Sequence, residues 1–237
     1  MSAYKKLNVG ELCVCLYNKT SVEEELIKNV ISRSGIDKGT ISLALGINKL
    51  SKPENRGETK PNESPSSKAD VQIAIREDVT DDWEHYKPHV AFVLCHELEH
   101  ARIILTDLRL HYCLTWLYDY NKTIFCKAGK EPLEKRFDFI HERQCNLKGK
   151  SVSIELFGSK DFKECLKRLR GKVNNAYKEN IDFLLSLQGK PYSDSVCELL
   201  KKDICSYYSG IESAAHSIWN CHPGSNFNLI DYIPLLK

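Results

Sequence analysis

His96-Glu97-Leu98-Glu99-His100 sets two imidazoles four residues apart. On a helix this spacing puts both rings on one face, a turn apart, so both can reach a single Zn²⁺ at about 2.0–2.1 Å. Glu97 adjoins the first ring and can meet a water on that metal. As general base it would take a proton from water whose pKa the metal has lowered toward about 7. The apolar flanks Val90–Leu94 and Ala101–Leu105 bury the helix that carries the motif. Two imidazoles in such surroundings need a partner.

A catalytic zinc requires a third protein ligand and an open fourth position. Glu142, 42 residues beyond His100 in His141-Glu142-Arg143-Gln144-Cys145-Asn146, is the downstream candidate. Asn146 lies one helical turn after it. Its carboxamide oxygen is expected to accept the Nδ1–H of a ligating histidine and fix the tautomer. His141 and His111 are rival ligands, and a solvent-facing Glu142 paired with Arg143 or Lys135 is the alternative without a metal.

The elements that must position these groups are predicted as follows. Residues 89–118 read as one central helix, broken near Thr106; Pro88 precedes it. Further helices are expected over 132–148, 161–187 and 193–208. In 70–76, Val71, Ile73 and Ile75 alternate with Gln72, Ala74 and Arg76, the period of a half-buried strand. This strand, about 15 residues ahead of the motif, is the expected exposed edge to which an extended peptide would add through Gln72, Ala74 and Arg76. Upstream, 11–17 reads as a short strand, and Ser21 with Glu24 as a capping box opening a helix to Ser34. Residues 51–69, with three prolines and little to bury, read as a polar linker or loop. The expected fold class is α+β, mainly helical with a small sheet. Its expected parts are an N-terminal segment 1–50, the linker 51–69 and a metal-binding domain 70–237.

Composition narrows the partners. The chain has 237 residues, 42% hydrophobic and 28% charged, enough for one large domain or a domain with an appendage; disorder throughout is excluded. A net charge of +2 gives no global signal for nucleic acid or membrane. No stretch approaches the roughly 20 apolar residues of a membrane span, and no apolar signal core follows the N-terminus, so a cytoplasmic location is expected. Ten cysteines lie scattered without a CxxC pair and are read as reduced, mostly buried thiols.

The order HELEH, Glu142-x-x-Cys145-Asn146, Ile154–Gly158 and His222-Pro223 resembles the layout of HtpX-type and CAAX-prenyl-type zinc metallopeptidases, a gluzincin arrangement. The resemblance spans roughly 70–236. It implies a zincin-like metallopeptidase domain holding one Zn²⁺ on His96, His100 and Glu142. It also implies Glu97 as base, Asn146 behind the ligands, His222 near the metal, and a peptide or protein substrate. His222 or His216 would supply a donor for the developing oxyanion. The chain departs from the family in carrying Asn146 where Asp is usual, in having no membrane span, and in placing Asp107 seven residues after His100 rather than five. Ser32–Ser42, after a capped helix, also resembles the turn of a helix-turn-helix, as in the ImmA/IrrE-type zincins. That similarity implies DNA contact through 21–49 and a transcription regulator as the alternative function. A zinc-binding protein without turnover is the third reading.

Overall fold

The sheet is built where apolar residues alternate. The computed structural model describes residues 4–50, 55–62, 69–127, 137–193 and 195–204, the side chains of 116, 120–127 and 176 excepted. Strands β1 (Lys5–Val9), β2 (Glu11–Asn18), β3 (Lys38–Ile47), β4 (Gly57–Pro61) and β5 (Val71–Arg76) form one mixed sheet in the order β1-β2-β3-β5-β4. Leu12, Val14 and Leu16 of β2, Ile41, Leu43 and Leu45 of β3, and Val71, Ile73 and Ile75 of β5 are buried on one face. Each such side chain contributes about 1.5–3 kcal/mol by leaving water. Helix α1 (Glu24–Ser34) crosses from β2 to the parallel β3 and buries Ile27, Val30 and Ile31 on that face.

Several expectations about this half change. The segment after the expected helix-turn-helix turn is strand β3, paired on both sides by β2 and β5, so no helix-turn-helix forms in 21–49. Its ISLAL pattern buries every second residue, a strand period that outweighs the capped helix before it. The 51–69 linker contains β4, which pairs antiparallel with β5. Consequently β5 is an interior strand, and Gln72, Ala74 and Arg76 are not on an exposed edge. Among the described residues the edge on this side is β4. Strands β1 to β3 and helix α1, from Lys5 to Ile47, share this sheet and one apolar core with the helices that follow, so no boundary near 50 separates them. The Ser21 capping box is also absent: Glu23 is the N-cap residue, and the Ser21 hydroxyl instead accepts the Trp83 indole N–H at 2.9 Å.

A short turn of helix, α2 (Glu77–Thr80), leads into the central helix α3 (Lys87–Thr106). Pro88 sits in its first turn, where no intrahelical N–H is needed. It ends at Asp107, whose backbone is extended (φ −151°, ψ 92°) and whose carboxylate caps α4 (Leu108–Lys127) by accepting the Leu110 N–H at 3.0 Å. The break near Thr106 is thus a cap, and Asp107 is further held by Lys201 at 3.0 Å. Helices α5 (Ile140–Phe157), α6 (Ser159–Arg170) and α7 (Asn175–Ser186) follow, and 196–204 is helical. The single helix expected over 161–187 is two, because Asn174 caps α7 by accepting the Tyr177 N–H.

Helix α5 lies directly against α3. At Gly149 an added Cβ would stand 2.7 Å from the Phe92 carbonyl oxygen, so only glycine allows this separation. Nearby, the Ser153 hydroxyl donates to the Pro88 carbonyl at 2.7 Å, locking the pair further along.

Candidate metal centre

On α3, residues 96, 97 and 100 face the space between the sheet edge and α5, as the spacing requires. Facing them is Glu142, in the first turn of α5. The Nε2 atoms of His96 and His100 are 3.2 Å apart. Glu142 Oε2 is 3.5 Å from His96 Nε2, and Oε1 is 3.7 Å from His100 Nε2. Among the described residues these three form the one group whose donor atoms all lie within 4.8 Å of one another. A tetrahedron with bonds of about 2.0–2.1 Å has an edge of roughly 3.3 Å. The imidazole separation is close to that edge, and the carboxylate, reaching one ring with each oxygen, lies slightly beyond it, within reach of the same small cation.

Electrostatics agrees with that donor set. Burial, with His100 as a neighbour, lowers the His96 pKa to about 4, against the pull of Glu142. Burial, with His111 nearby, lowers His100 to about 3. Both rings are neutral near pH 7 and keep a lone pair to donate. Two neutral imidazoles and a carboxylate are the usual three-residue set of a hydrolytic zinc site, so the residues fit that metal.

Glu97 is buried beside the pair. Its Oε2 accepts the Thr59 hydroxyl at 2.6 Å, and its Oε1 lies against Gly57, both from strand β4. Burial raises its pKa to about 8; the Thr59 bond opposes the rise and Glu142 adds to it. A carboxyl poised near neutrality is suited to passing a proton in both directions.

Glu99, the other acid of the motif, points away from the site and does not crowd it. It is fully buried and bound by Arg102 Nε at 2.8 Å and Nη2 at 2.7 Å. Gln144 Nε2 also donates to it at 2.7 Å, while Gln144 Oε1 accepts the Tyr192 N–H at 2.8 Å. This network joins α3, α5 and the segment at 192.

Of the other expected site residues, Asn146 stands beside His96. Its amide, however, donates to the Phe137 carbonyl at 2.9 Å, and His96 Nδ1 has no hydrogen-bond partner. The Asn146 side chain nevertheless stands close enough to the ring to raise the His96 pKa against the effect of burial, so it lies at the expected histidine without a fully formed bond. His141 is buried next to His100, ring centroids 5.5 Å apart, with Nε2 3.7 Å from Glu142 Oε1. His111 lines the same cavity. Neither belongs to the converging set. His216 and His222 lie outside the described residues.

A cavity of about 460 Å³ opens over the three donors. Strand β4 forms one wall, His111, Thr115 and Tyr118 of α4 another, and Tyr177 and Asn180 of α7 a third. The sequence did not reveal the part played by Gly57 and Thr59. GETKP has no apolar alternation, and a Gly-x-Thr spacing carries no signal of its own.

Comparisons with protein-family models, curated proteins and solved structures find no match to this chain. No helix among the described residues is long and apolar enough to cross a membrane.

Proposed function

We propose that the chain is a zinc-dependent metallopeptidase that hydrolyses peptide bonds. The reading is carried by one observation: two neutral imidazoles and a carboxylate from separate helices converge under a cavity within reach of one cation, with a second carboxyl, held through one oxygen by a hydroxyl, beside them. His96, His100 and Glu142 would hold the metal. When bound, zinc supplies Lewis-acid polarisation of a carbonyl and lowers the pKa of a water.

The chain's own groups do the rest. In its ionised form Glu97 accepts a proton from the attacking water and returns it to the departing amine, a role its place in the cavity beside the two histidines allows. Glu142 is held on α5 by the close contact at Gly149, and the two histidines by α3, so the ligands sit on rigid elements. The cavity wall at β4 is a sheet edge, the kind of surface along which an extended peptide is bound. The helix-turn-helix on which the regulator alternative rested is absent, which leaves that alternative without support.

The purified protein is expected to carry about one zinc per chain and to cleave unfolded casein. Glu97→Gln keeps the zinc and lowers cleavage by about 10²–10⁴-fold, whereas Glu142→Ala loses the zinc. Metal content by mass spectrometry and a casein assay read these outcomes. Full activity in Glu97→Gln removes the general base from the mechanism. Tight zinc without turnover in the unaltered protein favours a zinc-binding protein instead.

A further inference from the structure

Resting on the peptidase reading, we infer that Thr59 is a positioning residue: its hydroxyl fixes the Glu97 carboxylate from strand β4, in a seat that Gly57 leaves open. Thr59 Oγ1 stands 2.6 Å from Glu97 Oε2 and 3.1 Å from the Glu97 carbonyl, so it is clasped between the side chain and backbone of the same residue. Two residues earlier on the strand, and so on the same face, a Cβ at Gly57 would fall 2.4 Å from Glu97 Oε1 and 2.6 Å from its Cγ. A flexible side chain in an open site would yield to such a group. Glu97 is buried at 6% exposure, and its Oε2 is already tied. The hydroxyl has one proton to give, and giving it to Oε2 leaves Oε1 as the oxygen that exchanges protons with the reacting groups.

The strand that carries this seat is also the edge of the sheet, held by antiparallel pairing of Thr59 with Ile73 and of Gly57 with Ile75. The base is therefore set from the sheet side while the metal ligands are set from the helices. A displacement of β4 moves the proton acceptor without touching a ligand.

The test uses the full chain, loaded with zinc, and casein as substrate. Thr59→Val is expected to retain one zinc per chain and to lower kcat at least 10-fold with KM within about two-fold. Thr59→Ser is expected to restore most of the loss. Gly57→Ala, which pushes on Glu97 directly, is expected to lower kcat similarly. Unchanged kcat in Thr59→Val, or no rescue by serine when both variants are folded and zinc-loaded, overturns the inference. Should the unaltered protein not cleave casein, the peptidase reading falls, and a double-mutant cycle in urea unfolding reads the seat alone. Thr59→Val and Glu97→Ala then show a coupling of at least three-fold in the folding constant if the seat exists; additive effects overturn it.

Discussion

Two glutamates sit two residues apart in one motif and meet opposite fates. Glu99 has no exposure, yet Arg102 grips both its oxygens and Gln144 adds a third hydrogen bond. Glu97 is nearly as buried but is held through one oxygen by a neutral hydroxyl. A buried charge so fully paired has nothing left to offer a substrate. A buried carboxyl with one bond remains free to exchange a proton, at the expense of a pKa lifted to about 8. The helix thus has a structural side and a chemical side, and the two acids mark them.

The sharpest way to break this contrast is Arg102→Leu. It strands Glu99 as an uncompensated buried carboxylate and should cost about 3–5 kcal/mol in urea unfolding. A loss below about 1 kcal/mol would mean that Glu99 is not the structural acid.

Next comes the pH dependence of the metal-free protein. The folded pKa of Glu97 is raised above its ordinary 4.5, so the folded state binds more protons than the unfolded chain between those values. The stability that this group contributes is fully present below about 4.5 and is lost as pH rises through about 8. Glu97→Gln removes that loss, and at pH 9 the variant should be more stable than the unaltered protein by on the order of 5 kcal/mol. Parallel stability curves for the two proteins across this range would contradict the shift.

The smallest effect is expected of Gln144→Leu, which removes one bond to the charge of Glu99 while leaving Arg102. A cost of about 1.5–3 kcal/mol, with zinc content unchanged, would place Gln144 in the support and outside the metal site.

The site was legible where periodicity and chemistry coincide. The i, i+4 histidines and the apolar flanks gave α3. The downstream Glu142 could be picked because a zinc needs a third donor at helical reach. Val71–Ile75 announced a strand through alternation, but alternation does not say which neighbours a strand has, so β5 was mistaken for an edge. Strand β4 was hidden because GETKP is held by backbone pairing and buries no apolar side chain of its own. Conversely, the helix-turn-helix expectation followed a capped helix and a glycine turn while Ile41, Leu43 and Leu45 were already spelling a strand. Asn146 was expected to steady a histidine through its carboxamide oxygen; the bond it makes instead is from its amide N–H to the Phe137 carbonyl, nine residues back, which spacing within the motif does not foretell.

Gly149 stands two helical turns beyond Glu142, and the Phe92 carbonyl it admits stands one turn before His96. The missing methyl group therefore acts as a spacer gauge for the donors. Lengthening it by one carbon would spread the carboxylate from the imidazoles, so the grip on an ion could be loosened or tuned by a residue that never touches it.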